Sequence, residues 1–404
     1  MSSIPVKEIL RKAASKIPDS EDLVWGDLNQ AMSGMHKLLL ETCAESEVEK
    51  RTGVRFYGRG EERTDYRNGY RTRIVQTSLA TLQIQVPRLR GQGYIPSFLE
   101  PRVRALSQVE EWVEDAFLSG IDRAKIIRLM QATAGCRPSD DLLKRVAGEL
   151  DEQAKAFQNR PLVGDYQYLY LDAAWAKDIV GVNATRICIM TAVGVTYSGQ
   201  KEILGFERMS IENESNWRGF LVRLKERGLD PARLELVVSD EHGGLKNAIA
   251  EVLGDVAHQL CWAHRMRNVR KAVAAADRKE VVTGLQLVYL AKHLVAAKLA
   301  FKRWAARWSE KYPNLVASVE EDLGYLLAFY FCDSLHWEYL RTSNPIERVF
   351  RELRRQQFGC GAFANPKACN RAVFRIFSWL NRLWQDKNIW DIRKRKLQKM
   401  AQAK

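Results

Sequence analysis

The sequence predicts an α/β protein in which a mixed sheet forms the core and a wholly helical segment follows it. Between residues 164 and 265, β-rich runs alternate with amphipathic helices. Residues 266–340 then show helical spacing alone, and strand patterns do not return. The chain has 404 residues, which is enough for two to four domains of roughly 100 to 200 residues each.

The order of elements predicted for the core is β-β-β-α-β-α-β. The strands are predicted at 166–171, 188–195, 202–209, 234–238 and 256–261, and the helices at 216–227 and 245–253. The first three strands are close enough for hairpins and the later ones alternate with helices, so we expect a mixed sheet covered by helices. That arrangement is typical of the ribonuclease H-like fold.

The region before the core is predicted to be mostly helical. Residues 1–50 have helical spacing, whereas residues 51–104 are rich in arginine and predict a hairpin or small sheet with a turn at Asn68-Gly69. Three short helices follow between residues 106 and 157, with Asp122 and Ser139 placed as helix caps. They resemble a helix-turn-helix unit, and an ordinary helical bundle explains the same pattern.

The charge is concentrated in two places. The chain carries a net charge of +14, of which residues 51–104 contribute +7 and residues 341–404 contribute +12, so the remainder is −5. Two discrete basic surfaces favour a polyanionic partner, and charge alone does not separate nucleic acid from an anionic membrane or a heparin-like polymer.

Other sequence features exclude several classes of protein. No apolar run approaches eighteen residues and the first residues lack the apolar core of a signal peptide, so we expect a soluble intracellular protein. The seven cysteines are odd in number and scattered, which predicts reduced thiols. No glycine-rich phosphate loop occurs, and we expect no nucleotide cofactor.

Three carboxylates are candidates for metal-dependent chemistry. Asp172 and Asp240 each follow an apolar strand, and Glu347 lies at the start of a helix. Such side chains can converge at one edge of a sheet, where oxygen ligands suit two Mg²⁺ ions that assist an in-line displacement at phosphorus. Each also has a simpler explanation: Asp172 in a strand-end turn, Asp240 as a helix cap, and Glu347 in a capping box with Asn344.

Two further patterns are less specific. The helix after Glu347 presents four arginines on one surface, either as a solvated face or as a grip on a phosphate backbone: Arg348, Arg351, Arg354 and Arg355. Cys261-x-x-His264 has metal-ligand spacing, and Cys332-x-x-x-His336 could supply the second pair of ligands for a tetrahedral zinc site. We favour a structural role beside the sheet for Cys261 and His264.

At these residues the sequence resembles the Mutator-type transposases of bacterial insertion sequences, the insertion sequence 256 group. The resemblance runs in order through most of the chain. Its blocks are Arg67-Asn68-Gly69-Tyr70-Arg71, Val86-Pro87-Arg88-Leu89-Arg90, Tyr170-Leu171-Asp172-Ala173-Ala174-Trp175, Ser239-Asp240 with Gly244-Leu245, Gln259 to Cys261 with His264 and Arg267-Asn268, Trp308 with Lys311-Tyr312-Pro313, and Thr342-Ser343-Asn344-Pro345-Ile346-Glu347. Glu241-His242 and residues 178–185 depart from the pattern.

The resemblance implies a ribonuclease H-like core, an Asp-Asp-Glu triad formed by Asp172, Asp240 and Glu347, and an all-helical insertion before the glutamate. We therefore expect a DNA transposase that binds terminal inverted repeats and uses two Mg²⁺ ions, with Mn²⁺ as a substitute, to cleave and transfer strands. Expected partners are double-stranded DNA and a second copy of the chain, with no membrane, in the cytoplasm at the nucleoid. A structure-selective nuclease and a non-catalytic DNA-binding regulator are the alternatives.

These expectations assign a role to each region of the chain. The regions are 1–105 for DNA binding, 106–163 for helix-turn-helix-like linker helices, 164–265 for the first part of the core, 266–340 for the insertion, 341–385 for the glutamate-bearing helix and those after it, and 386–404 for a basic tail. The arginines expected to contact DNA are Arg67, Arg71, Arg73, Arg88 and Arg90, together with the four that follow Glu347.

Overall fold

In the computed structural model the described residues are 25–391, apart from 56–57, 59–62, 78–79, 92, 100–106 and 135–136. The chain divides into two compact units, Met1–Leu150 and Asp151–Lys404. None of the described helices is long and apolar enough to cross a lipid bilayer.

The first unit begins with a long helix and a two-stranded antiparallel sheet. These are α1 (Trp25–Thr52), β1 (Arg67–Gln76) and β2 (Thr81–Leu89). Alternate residues of β2, including Leu82, Ile84 and Val86, are buried in one small apolar cluster with Val48 of α1. The predicted arginine-rich hairpin is confirmed.

The predicted turn at Asn68-Gly69 is wrong. Both residues lie inside β1, where the register with β2 shifts between Arg67 and Tyr70. Gly69 has φ +72°, and a glycine in this left-handed conformation serves a β-bulge as well as a turn. The pairing of the two strands instead begins at Gln76 and Thr81, and beside this pair the Thr77 N–H donates to the Ala80 carbonyl at 2.9 Å.

Three helices follow as predicted. They are α2 (Ser107–Leu118), α3 (Arg123–Ala134) and α4 (Asp140–Asn159), and the boundary between the two units falls within α4. Both predicted caps are confirmed: the Lys125 N–H donates to Asp122 Oδ1 at 2.8 Å, and the Leu142 N–H donates to Ser139 Oγ at 3.2 Å.

The second unit is built on a five-stranded mixed sheet with the order β5-β4-β3-β6-β7. The strands are β3 (Tyr166–Val180), β4 (Asn183–Thr196), β5 (Lys201–Met209), β6 (Leu236–Ser239) and β7 (His258–Leu260). The first three pair antiparallel, whereas β6 is parallel to both β3 and β7. The mixed sheet and the helical region before it are as predicted.

Helices cover both faces of this sheet. Leu169 and Leu171 point to the face covered by α5 (Glu214–Glu226) and α6 (Gly243–Leu253), while Tyr168 and Tyr170 point to the opposite face. The helices after β7 are α7 (Trp262–Ala272), α8 (Arg278–Tyr289), α9 (Leu294–Trp308), α10 (Pro313–Glu321), α11 (Leu323–Leu326), α12 (Trp337–Leu340), α13 (Asn344–Cys360) and α14 (Pro366–Trp384). Residues 266–340 contain helices and no strand, as predicted.

The hairpin of β3 and β4 is much longer than the sequence predicts. The prediction ended the first strand at residue 171 and began the second at 188, because the residues between them include Lys177, Asp178 and Arg186. Asp178 is nevertheless completely buried, since it forms an ion pair with Arg208 of β5. Backbone hydrogen bonds between Phe363 and residues 177 and 179 also stabilise this part of β3.

Candidate active site

The parallel pairing of β3 and β6 brings two of the predicted carboxylates side by side. Leu171 pairs with Ser239, and Asp172 and Asp240 are the next residue on each strand. Neighbouring strands lie about 4.8 Å apart, so residues in adjacent register positions are close. Asp172 therefore lies within β3, not in the strand-end turn that was one explanation of it, and it is next to Asp240, which directly follows β6.

Asp172 is a buried acid. Its side chain is 6% exposed, and Oδ1 accepts a hydrogen bond from the Ala173 N–H at 2.8 Å. Burial and then the charge of Asp240 raise the pKa of Asp172, and the His264 imidazole opposes both; together they bring it to about 8. Two carboxylates that repel each other in a poorly solvated place favour a cation between them.

Asp240 does not cap the following helix. His242 occupies the N-cap of α6, where its Nδ1 accepts from the Leu245 N–H at 3.3 Å. Asp240 Oδ1 instead accepts from the His242 N–H at 3.1 Å, which fixes the turn between β6 and α6. The half-buried Asp240 carboxylate therefore lies in the turn rather than at the helix terminus.

Glu347 lies on α13, the helix that packs against β3 and β4. The Ser343 carbonyl accepts hydrogen bonds at 3.0 Å from the N–H groups of both Ile346 and Glu347. Ser343 is therefore the N-cap, and Glu347 is one residue beyond the position that a capping box requires. The capping-box explanation of Glu347 does not apply.

The start of α13 is anchored at the end of β7. Cys261 is fully buried, and its Sγ accepts from the Ser343 N–H at 3.2 Å and lies 3.3 Å from Ser343 Oγ. The Trp262 N–H donates to the Arg341 carbonyl at 2.9 Å. Cys261 thus links the end of β7 to the start of the glutamate-bearing helix through Ser343.

The structure brings Asp172 and Asp240 together but does not group the third carboxylate with them. Across residues 25–391, leaving out the gaps named above, no three His, Cys, Asp or Glu side chains are arranged to hold a metal ion. The half-buried Glu347 is on the adjoining helix. The cysteines and histidines considered for zinc do not form such a group within these residues either. His336 instead stacks on Trp390, with ring centres 3.6 Å apart, and its Nδ1 lies 2.9 Å from the Tyr168 hydroxyl.

A fourth carboxylate that lies near the site was not predicted from the sequence. Glu212 is half-buried before α5, and its Oε1 accepts from Trp217 Nε1 at 3.1 Å. Burial and then the charge of Asp240 raise the pKa of Glu212. The sequence signal was weak, because Glu212 stands directly before Asn213, the cap of α5, among other polar residues.

The predicted DNA-binding arginines differ in their surroundings. All four arginines of α13 are exposed, and Arg355 also pairs with Glu352 at 3.1 Å. In the first unit Arg88 and Arg90 are exposed and Arg73 is half-buried. Arg67 forms an ion pair with Glu45, and Arg71 Nη2 donates to the Tyr94 carbonyl at 2.8 Å. The tail Arg393-Lys394-Arg395-Lys396 lies outside the described residues.

Comparison with known proteins gives one consistent result. The family model described as transposase, Mutator family, matches residues 12–387. The chain is 29% identical over 371 residues to the transposase for insertion sequence element ISRM5 of Rhizobium meliloti, covering 91% of this chain and 93% of the relative. It is 31% identical over 357 residues to the transposase for IS406 of Burkholderia multivorans, covering 88% and 91%. The transposase for IS256 in transposon Tn4001 of Staphylococcus aureus is 29% identical over 332 residues, 81% of this chain and 84% of the relative.

Proposed function

Because the chain belongs to the Mutator family of transposases, we propose that it cleaves and joins DNA through an Asp-Asp-Glu triad of Asp172, Asp240 and Glu347 on a ribonuclease H-like core. Membership of this family supports a role in DNA transposition. The observation that carries the triad is the adjacency of Asp172, within β3, and Asp240, directly after β6, with α13 packed against β3.

The residues present fit a hard divalent cation such as Mg²⁺ or Mn²⁺. Asp172 and Asp240 offer oxygen ligands, which such ions prefer, and a cation would relieve the repulsion that raises the pKa of Asp172. When bound, two such ions would activate the attacking oxygen and stabilise the leaving oxygen of an in-line displacement at phosphorus.

The protein's own part is to hold and orient the reacting groups. Asp172 and Asp240 would hold the cations from the sheet, and Glu347 would complete the ligand set from α13. The exposed arginines of α13 would offset the repulsion between the acidic site and the DNA backbone. A water would attack first to free a 3′-hydroxyl, and that hydroxyl would then attack the target strand by the same route.

Recognition of the element ends would belong to the first unit. Its exposed Arg88 and Arg90 and the helices α2 to α4 are candidates for contact with terminal inverted repeats. Joining requires the two ends of the element to be held together, so we expect at least a homodimer on DNA.

End cleavage tests this proposal. The substrate is duplex DNA that carries the inverted repeats flanking the gene, in Mg²⁺ or Mn²⁺. Asp172→Asn, Asp240→Asn and Glu347→Gln should each lower the cleavage rate at least 100-fold, because each removes a charged ligand. Asp255→Asn, a change at an exposed aspartate, is the control. Near wild-type cleavage by any of the three variants refutes the triad.

A further inference from the structure

The hairpin of β3 and β4 extends well beyond the sheet that anchors it. The pairing of β3 with β6 ends at Leu171, and the pairing of β4 with β5 ends at Cys188. Residues 176–187 therefore form a two-stranded extension, which we call the distal ribbon. An isolated two-stranded hairpin is only marginally stable in water, so this one needs other support.

One face of the ribbon supplies that support. Asp178 is fully buried and paired with Arg208, and Ala176 and Ile187 belong to the main apolar core. The Ile179 N–H donates to the Phe363 carbonyl and the Phe363 N–H donates to the Lys177 carbonyl, both at 2.9 Å. The ribbon is thus held rigidly by its inner face.

The outer face is exposed and cationic. Lys177 and Arg186 are cross-strand partners, so their side chains share this face. Both are exposed, and within the part of the chain that the structure describes neither forms an ion pair with a carboxylate. Like charges directly opposite each other destabilise a sheet, and this arrangement favours a ligand that supplies the missing negative charge.

Trp175 orients one of the two cations. The Arg186 guanidinium lies 4.0 Å from the centre of the Trp175 ring, and Trp175 remains 41% exposed. Stacking on an aromatic face restrains the guanidinium while its N–H groups at the edge stay available for a phosphate. The ribbon therefore presents a pre-oriented arginine beside a lysine.

The outer face belongs to the hairpin that carries Asp172, but it lies on the other side of the sheet from the Asp172 side chain. Successive side chains of a strand point to opposite faces, so Asp172 shares the inner face with Asp178, whereas Trp175 and Lys177 share the face of Leu171. Trp175 and Lys177 are three and five residues beyond Asp172, which is roughly 10 and 17 Å along the strand at about 3.3 Å per residue.

We propose that the outer face of the distal ribbon binds the DNA duplex that the protein acts on, with Lys177 and Arg186 on its phosphates. This inference rests on the proposed function, because it takes DNA as the substrate of the same site. The charge of the two cations and their place on the hairpin that carries Asp172 argue for DNA as the occupant.

The test is the salt dependence of DNA binding by the full-length protein. A fluorescent 40-base-pair duplex of mixed sequence is titrated at several salt concentrations, with Ca²⁺ in place of Mg²⁺. Each lost phosphate contact should lower the slope of log K against log salt by about 0.9, so Lys177→Ala with Arg186→Ala should lower it by about 1.8. Lys177→Arg should keep the wild-type slope, and Trp175→Ala should weaken binding more than Trp175→Phe.

Lys225→Ala is the matched control, because Lys225 is an exposed cation on α5 of the same unit. Its slope should equal that of the wild type. A wild-type slope in the double variant, with unchanged thermal melting, overturns the ribbon proposal. DNA binding by the ribbon does not require cleavage. Full cleavage by the triad variants would therefore refute the proposed function without affecting the salt-dependence result for the ribbon. A wild-type protein that binds no DNA would contradict both.

Discussion

The raised pKa of Asp172 results from its place in the sheet. It follows the buried run of β3 directly, so the strand that brings it beside Asp240 also removes it from water. Burial makes the ionised form of a carboxylate less favourable, because the charge loses contact with water, and a nearby like charge disfavours it further. The same features that make Asp172 a good cation ligand make it a poor free anion.

The pH dependence of stability should reveal this acid. In metal-free protein the pKa of Asp172 is about 8, against 3.8 as the ordinary value, so the folded state holds a proton that the unfolded state releases between these values. The free energy of unfolding should therefore fall as pH rises from 4 to 8, by at most about 1.4 kcal/mol per pH unit from this group.

Urea unfolding in EDTA at pH 5, 6, 7 and 8 measures this effect. Asp172→Asn cannot ionise, so its stability should fall less over this range than that of the wild type, and the two should differ most at pH 8. Asp255→Asn should follow the wild type. An Asp172→Asn protein with the full wild-type pH dependence would show that Asp172 is not the source.

Single residues were predictable where local sequence decides their place. Asp172 and Asp240 each follow an apolar run typical of a strand, which predicted that both belong to the sheet, although Asp172 lies within β3 and not at its end. Glu212 was not evident, because its approach to Asp240 depends on the packing of α5 against α6. The partners of Arg67 and Arg71 come from distant parts of the first unit, which an arginine-rich run does not reveal.

At the scale of elements, periodicity predicted which segments are helices and strands but not how far the strands extend. The hairpin of β3 and β4 passes through charged residues because tertiary partners accept them, above all Arg208 for Asp178. The last strand, β7, is shorter than predicted, since Cys261 already caps α7. Helix caps were predictable where a side chain serves its own backbone, as at Asp122 and Ser139.

The packing of α5 against α6 gives a sharp test at this scale. A Cβ on Gly244 would lie 2.7 Å from the backbone nitrogen of Glu214, whereas a Cβ on Gly243 would meet nothing within 4 Å. Gly244→Ala should therefore force the two helices apart and destabilise the protein by about 1–3 kcal/mol. It should also lower cleavage, because Asp240 and Glu212 lie in the turns before these helices.

Gly243→Ala is the matched control for Gly244→Ala. It should be neutral or stabilise the protein by up to about 1 kcal/mol, because alanine restricts the unfolded chain. Thermal or urea unfolding compares the two variants. Equal stability of both would contradict the packing described for α5 and α6.

At the scale of the whole molecule, most of the positive charge and the two candidate catalytic aspartates lie in different parts of the chain. The net charge of +14 resides in two basic stretches, while the remainder of the chain is mildly acidic and contains Asp172 and Asp240. Glu347 lies in the first turn of α13, the helix that carries the exposed arginines of the second stretch. An acidic site beside a basic helix suits a polyanion that must be held close to carboxylates.

The arginines of α13 should contribute directly to DNA affinity. Changing Arg348, Arg351 and Arg354 together to alanine should lower the slope of log K against log salt by about 2.7, at roughly 0.9 per phosphate contact. Lys279→Ala, at an exposed lysine of α8, should leave the slope unchanged. Fluorescence anisotropy with a 40-base-pair duplex measures both, and an unaltered slope in the triple variant would exclude these arginines from the DNA interface.

The most direct test of the central claim is the metal preference of an Asp240→Cys protein in end cleavage. A hard Mg²⁺ ion prefers oxygen to thiolate, whereas the softer Mn²⁺ accepts sulfur more readily. If Asp240 holds the catalytic cation, the variant should be inactive in Mg²⁺ and regain measurable cleavage in Mn²⁺, while the wild type cleaves in both. Wild-type cleavage by Asp240→Cys in Mg²⁺ would contradict the account.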